Sequence, residues 1–291
     1  MKPAAFSHFA PTKLADALAF LEANSNEAKV LAGGQSLVPA LNFRLSHFPM
    51  LLDLNRIAEL EYIRVDGRAL HIGAMTRQRD IETSILVLKT APLLAEATLM
   101  LSHLPIRTRG TIGGSLAHAD PAAEYPAVMV TLNATIVVQS KSKIRRIAAT
   151  EFFCGYFETA LEPGEILVEI EIPIAGADQR FAFEEVSRRR GDFAIVGVAG
   201  AVTLKQNRIL VARLTTCGVG GGPVRLIEAE RVLEGCDLDS LSILKSATVA
   251  GVSVEPQHDM HATADYRSKL VVTLVERVLT RIAGILKGEL V

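Results

Sequence analysis

Three cysteines are too few, and too scattered, for most of what cysteines build. Cys154, Cys217 and Cys236 form no C-x-x-C pair. A secreted disulfide framework is therefore not expected, and three thiols cannot complete the four-thiolate shell of an ordinary iron–sulfur cluster. Any such cluster would have to sit on another chain. Charge excess is missing too: 31 Lys and Arg against 32 Asp and Glu leave a formal net charge of −1. No basic surplus argues for nucleic acid, and no run of like charges argues for a disordered tail. No stretch reaches the roughly 18 uninterrupted apolar residues that a membrane span needs. The opening MKPAAFSHFAPTKLADALAF lacks the charged segment and continuous apolar run of a signal peptide. A cytoplasmic location is expected. Neither G-x-G-x-x-G nor a P-loop occurs, and there is no internal repeat.

What is present is an ordinary globular composition, 49% apolar and 22% charged over 291 residues, enough for one large core or two smaller ones. Residues 12–24 read as a helix with Thr12 as N-cap and Leu14, Ala17, Leu18 and Leu21 on one face. Lys29-Val30-Leu31-Ala32 is a short strand running into Gly33-Gly34, after which Ser36 can cap a helix reaching about Leu45. A second short strand covers 50–54. A hairpin follows at 62–73 about Asp66-Gly67-Arg68. Helices are expected at 77–84, 91–102 and from Pro126, and a strand at 134–139. Glu165 to Pro173 alternates as a half-buried strand, with Val168, Ile170 and Ile172 on one side and Glu169 and Glu171 on the other. Ala175-Gly176-Ala177-Asp178 is the expected domain boundary. Beyond it come long strands at 180–187, 195–205 and 209–219, with a Gln206-Asn207 turn, then helices at 226–234, 238–250 and 263–287. The last helix carries Leu270, Val271, Leu274, Val275, Val278, Leu279 and Ile282 on one face. The class is α+β in two domains.

Two segments carry chemistry. In Leu31-Ala32-Gly33-Gly34-Gln35-Ser36-Leu37, a strand ends, two glycines turn the backbone with its N–H groups bare, and a helix begins. Such an anion nest can hold a pyrophosphate without a Lys or Arg; a tight turn that binds nothing has the same sequence. In the segment from Arg107 to Glu124, Gly110, Gly113 and Gly114 again bare the backbone. The Thr111 and Ser115 hydroxyls and the Asp120 and Glu124 carboxylates lie near enough to receive sugar hydroxyls. His118, Asp120 and Glu124 lack the spacing of a helical metal motif, and Pro121 interrupts them; no metal is expected.

Together the two loops resemble the FAD-binding medium subunit of the molybdenum hydroxylases, the family of carbon monoxide dehydrogenase, xanthine dehydrogenase and the N-heteroaromatic oxidoreductases. The resemblance covers essentially the whole chain. It implies a two-part FAD-binding domain of the vanillyl-alcohol-oxidase/PCMH type over residues 1–176, with subdomains of about 1–55 and 56–176. A smaller domain of one sheet and three helices follows over 177–291. Ala32-Gly33-Gly34-Gln35-Ser36-Leu37 is similar to the family's first flavin loop and Thr111-Ile112-Gly113-Gly114-Ser115 to its second. By the same resemblance Glu124 lies on the ribityl side and Leu167 touches the ring system. Arg188-Arg189-Arg190-Gly191-Asp192-Phe193 matches a basic segment whose aromatic lies near the isoalloxazine, and Tyr266-Arg267 opening the last helix is a further family mark. Many relatives carry a Lys just before the basic run. Glu184 and Glu185 stand here instead, so a lysine that would favour a negatively charged reduced flavin is missing.

The implied function is electron transfer inside a three-part enzyme. A large subunit would hold molybdenum–pterin, a small subunit two [2Fe–2S] clusters, and FAD on this chain would pass electrons to an external acceptor. A dimer of such heterotrimers is the expected assembly. The substrate leans to the N-heteroaromatic branch through Gln35 and the run Ser115-Leu116-Ala117-His118-Ala119-Asp120. A self-contained flavin oxidase and a non-enzymatic nucleotide-binding protein are the rival readings. Gly218 to Gly222 reads as a bulge or turn, since Pro223 precludes a helix directly after it, and His103, His258 and His261 as surface or interface groups.

Overall fold

The computed structural model describes residues 2–206 and 208–287, with side chains described through 284. Residues 2–60 form a small parallel unit. Strand β1 (Ser7–Phe9), helix α1 (Leu14–Ala23), β2 (Ala28–Leu31), helix α2 (Leu37–Asn42) and β3 (Met50–Asp53) build a three-stranded sheet of order β1-β3-β2. Ala17, Leu18 and Leu21 of α1 are buried, as their spacing predicts. Thr12 is not the cap. Lys13 holds that position without a side-chain bond, and the Leu14 N–H donates to Glu59. A distant carboxylate does the work that was assigned to a local hydroxyl. Helix α2 also ends earlier than its pattern suggests, because Arg44 takes φ +58.

A five-stranded sheet follows, of order β4-β5-β10-β6-β7. The hairpin β4 (Ile63–Asp66) and β5 (Ala69–Gly73) turns at Gly67, whose φ of +58 suits glycine. Between β5 and β6 (Thr135–Gln139) lie six helices: α3 (Gln78–Thr83), α4 (Ile85–Thr90), α5 (Pro92–Met100), α6 (Leu104–Arg107), α7 (Ile112–His118) and α8 (Glu124–Thr131). β7 (Ile144–Ala148), the short α9 (Ala149–Phe152) and the ribbon of β8 (Phe153–Gly155) and β9 (Glu158–Thr159) lead to β10 (Ile166–Pro173).

β10 is central in its sheet and buried on both faces, not half-buried. A bulge between Leu167 and Glu169 breaks the alternation. Leu167, Ile170 and Ile172 therefore face the large core, while Ile166 and Val168 pack on the first unit with Leu18, Leu52 and Leu54. Glu169 is buried rather than solvated, taking Tyr62 Oη, Arg64 and His71 as partners.

The second domain is an antiparallel sheet of order β11-β12-β13-β14, formed by Gln179–Ser187, Ala194–Lys205, Arg208–Cys217 and Val224–Arg225. Helices α10 (Ile227–Leu233), α11 (Ser240–Val252) and α12 (Ala264–Lys287) cover it. Gln206 takes φ +51 between β12 and β13, and Asn207 of the expected turn lies outside the described residues. All seven apolar residues expected on one face of α12 are buried, in the core that α12 forms with α11, β12 and β11. The domains are joined by buried surface and by charge. Arg281 of α12 bridges Glu96 of α5 and Glu184 of β11, both at 2.8 Å.

Candidate functional site

A cleft of about 1370 Å³ runs between the small parallel unit and the five-stranded unit and is closed at one end by the second domain. Its floor is where the two Gly-rich segments meet. Gly33 packs against the backbone of the second segment so closely that an added Cβ would collide with Arg109 O and lie 2.7 Å from Gly110 Cα. At Gly114 a Cβ would lie 2.8 Å from Thr111 Oγ1 and 3.2 Å from Ala32 Cβ. The glycines thus serve first to let the two segments touch.

The two segments offer different chemistry. In the first, the N–H groups of Gly33, Gly34, Gln35 and Ser36 donate to no acceptor among the described residues, while Gly34 (φ +73) turns the chain. Four successive unpaired N–H groups on a cleft wall are a concentrated partial positive charge. The second segment is not a loop. It is the start of α7, with Thr111 as N-cap accepting from Gly114 N at 3.0 Å. Ile112 N and Gly113 N are likewise committed, to Thr76 O and Ala74 O. Its contribution to the cleft is therefore side chains, with Ser115, His118 and Asp120 on the wall.

A polar clamp holds the segments together. Asn55 Nδ2 donates to Ala32 O (2.8 Å), Arg77 donates to Arg109 O (2.6 Å) and to Asn55 Oδ1 (2.8 Å), and Asp53 Oδ1 fixes the Asn55 backbone N–H. At the closed end Arg267, buried at the start of α12, donates to Ile195 O, Gly218 O and Asp259. Burial pushes the Asp259 carboxyl up. Arg267 and the His261 and Ala262 N–H groups outweigh that and hold it at about 2. Glu124, the first residue of α8, is 5% exposed and lines the cleft; burial, then Glu185 and Asp120, push it up to about 8.

Comparison with known proteins shows the family of the chain. Residues 4–175 match the FAD binding domain in molybdopterin dehydrogenase, and residues 181–282 match the CO dehydrogenase flavoprotein C-terminal domain. The chain belongs to the FAD-binding subunits of the molybdenum hydroxylases. It is 41% identical over 282 residues to the 6-hydroxypseudooxynicotine dehydrogenase complex subunit alpha of Paenarthrobacter nicotinovorans, covering 97% of this chain and 95% of that one. Among solved structures it matches carbon monoxide dehydrogenase from Hydrogenophaga pseudoflava with a TM-score of 0.95, at 34% identity, over 98% and 99% of the two chains. Quinoline 2-oxidoreductase from Pseudomonas putida 86 matches at 0.94, at 36% identity, over 99% of each.

For a flavoprotein of this family the cleft fits its cofactor. It exceeds the roughly 300–1,000 Å³ of ordinary small-molecule sites, and its nest of bare N–H groups suits a pyrophosphate. Of the residues expected at the flavin, Ala32, Gly33, Gly34, Gln35, Ser36, Leu37, Thr111, Gly113, Gly114, Ser115, Glu124, Leu167 and Phe193 all line it. Leu31 and Ile112 do not. Leu31 ends β2 with its side chain beside Gly34, and Ile112 is fully buried in the large core. Leu167, packed in the large core, lines the cleft with the little of its surface left exposed, and Phe193, 62% exposed, lines it as well. The arginines at 188–190 are exposed, with Arg188 on the wall.

Sequence reasoning missed Asn55 and Arg77, which no motif marks, and also Lys29 and Phe48, which line the cleft and pair as cation and ring. It also read Gly218 only as a turn. Gly218 donates to Pro121 O, accepts from Arg267, and with Val219 and Gly220 completes the wall.

Proposed function

We propose that this chain is the electron-transfer subunit of a three-part molybdenum enzyme, holding FAD between iron–sulfur clusters on a small partner and an external acceptor. The observation that carries the reading is the row of unpaired N–H groups at Gly33, Gly34, Gln35 and Ser36 on the wall of one large cleft. That is what a cofactor pyrophosphate requires, and nothing among the described residues uses it. Flavin supplies the chemistry, accepting electrons singly and releasing them in pairs.

The chain's own residues bind and orient. The nest would hold the phosphates, Glu124 and Ser115 would hydrogen-bond ribityl or sugar hydroxyls, and Leu167 and Phe193 would offer apolar surface to the ring. In this reading residues 1–176 are the FAD-binding domain and residues 177–291 the domain that closes over it. Partners are a large molybdenum–pterin subunit and a small subunit with two [2Fe–2S] clusters, assembled as a dimer of heterotrimers. The three cysteines support that division, being far apart and free, with Cys217 buried. Two exposed free thiols also suit a reducing, cytoplasmic setting. An N-heteroaromatic substrate for the whole enzyme is supported by the likeness to the quinoline enzyme.

Purification of the native complex, with analysis of its chains, metals and flavin, tests this. FAD at one per copy of this chain, molybdenum, and iron on other chains are expected. Turnover of an organic substrate by this chain without partners would promote the self-contained oxidase instead.

A further inference from the structure

The longest run of like charge in the chain lies beside the cleft. Arg188, Arg189 and Arg190 follow β11 in the turn that leads to β12, and all three are exposed. Arginines that brace the fold meet carboxylates: Arg107 meets Glu82, Arg145 meets Glu165, Arg225 meets Glu230, and Arg281 meets both Glu96 and Glu184. Among the described residues none of the guanidinium groups at 188–190 forms an ion pair or donates a hydrogen bond. The turn itself is well held. Ser187 Oγ donates to Arg189 O at 2.9 Å, and Asp192 N–H donates to the same oxygen at 3.0 Å. Gly191 (φ +88) packs on the first domain so closely that an added Cβ would lie 2.7 Å from two atoms of the His103 ring and 3.1 Å from Ser102 C. A fixed turn thus presents three unused positive charges.

The turn serves two surfaces. Arg188 and Phe193 line the cleft, and with Phe193 62% exposed the cleft opens to solvent here. Arg189 and Arg190 do not line it. A small anion inside the cleft could reach Arg188 alone; engaging all three requires a partner broad enough to span the turn. We propose that this turn is the docking surface for an acidic one-electron carrier protein, the external acceptor of the complex. This rests on the reading that FAD in the cleft passes electrons outward. Two oxidised carriers take one electron each, the cofactor gives up two, and its protons go to water. Complementary charge raises the encounter rate of such transient partners, and salt screens the effect. Phe193 adds an exposed aromatic beside the arginines, and aromatic residues and Arg are the side chains that interfaces favour. An anionic membrane is the poorer fit. Polybasic segments that hold to lipid carry about 4–8 Lys or Arg, whereas here three are offset by the exposed Asp192.

The test uses the whole FAD-loaded complex, reduced with stoichiometric dithionite and mixed rapidly with a c-type cytochrome in two forms. One form is native and basic; in the other, succinylation of its lysines has made the protein acidic. Wild type is expected to reduce the acidic form about tenfold faster at about 0.02 M salt than at about 0.2 M. R189E/R190E should slow that reaction at least about tenfold at low salt and flatten its salt dependence, while R189K/R190K keeps both. Neither variant should change the rate with a small uncharged quinone. An R189E/R190E rate with the acidic cytochrome equal to that of wild type overturns the proposal. Loss of FAD or of a partner chain from R189E/R190E also overturns it, by placing the arginines in the cofactor site or in a resident interface. Co-sedimentation with phosphatidylserine–phosphatidylcholine vesicles that R189E/R190E loses, with cytochrome reduction unchanged, makes the turn a membrane contact and overturns it as well. Acidic cytochrome reduced as fast after FAD removal would end the reading of electron exit through the flavin, and the inference with it. Where that control shows dependence on FAD, failure of the charge reversal removes the docking surface alone.

Discussion

Gly33→Ala is the smallest change that separates the two Gly-rich segments. The new Cβ meets Arg109 O and stands 2.7 Å from Gly110 Cα, both backbone atoms that cannot swing aside. Relief requires the segments to part by about an ångström at a point where Asn55 and Arg77 tie Ala32 O and Arg109 O into one network. Overpacking of this kind costs about 1–3 kcal/mol. The nest shifts with Gly33, and losing one or two charge-assisted bonds to a phosphate, at about 1.5–3 kcal/mol each, weakens FAD binding by about one to four powers of ten. The assay is FAD titration of the flavin-depleted complex, alongside its thermal unfolding. Gly67→Ala is the control. Gly67 has φ +58 and nothing within 4 Å of an added Cβ, so it costs about 1 kcal/mol of stability and leaves flavin affinity alone. FAD affinity unchanged in Gly33→Ala would refute the argument that contact between the segments builds the phosphate site.

Further predictions follow from the same geometry. Arg77→Ala frees Arg109 O and Asn55 without touching the cleft wall, and should weaken FAD binding about tenfold, measured by the same titration. Asp259→Asn loosens Arg267 from the 259–262 turn and should speed FAD release, read as the off-rate on dilution. Glu124→Gln should stabilise the flavin-depleted protein in a pH-dependent way. With the carboxyl raised from 4.5 to about 8 in the fold, wild type loses stability as pH rises from about 4.5 through about 8, while the amide does not. The gap in stability between the two, read from their melting temperatures, should therefore be absent near pH 4 and reach its maximum, a few kcal/mol at most, above pH 8.

How much of this was legible in the sequence depended on the range of the interaction. Strong local patterns were read correctly: the apolar face of α12, the Asp66-Gly67 turn and the run from β2 into Gly33. Failures came where a distant residue supplied what a local one was expected to give. Glu59 bonds the first turn of α1 in place of Thr12. Sequence reasoning assigns Gly33 the task of turning the backbone and baring its N–H groups, whereas its missing Cβ first makes room for Arg109 O and Gly110. Val168 and Leu167 exchanged faces because a bulge, invisible in an alternating string, sits between Leu167 and Glu169. The second segment's glycines hid a helix start, since Thr111 satisfies Gly114 N and β-side carbonyls satisfy the residues before it. Asn55 and Arg77 carry no motif at all; only folding brings them to the carbonyls of both segments.

The central claim is that electrons leave the complex through the flavin held by this chain. Reduction of the whole complex with dithionite, then rapid mixing with a panel of acceptors (NAD, a quinone, a cytochrome and oxygen), tests it without knowledge of the organic substrate. Cluster reoxidation should be followed with FAD bound and after its removal. The account predicts that for at least one acceptor reoxidation is fast with FAD, slows at least about tenfold without it, and recovers when FAD is restored. Equal rates with and without FAD for every acceptor would contradict it.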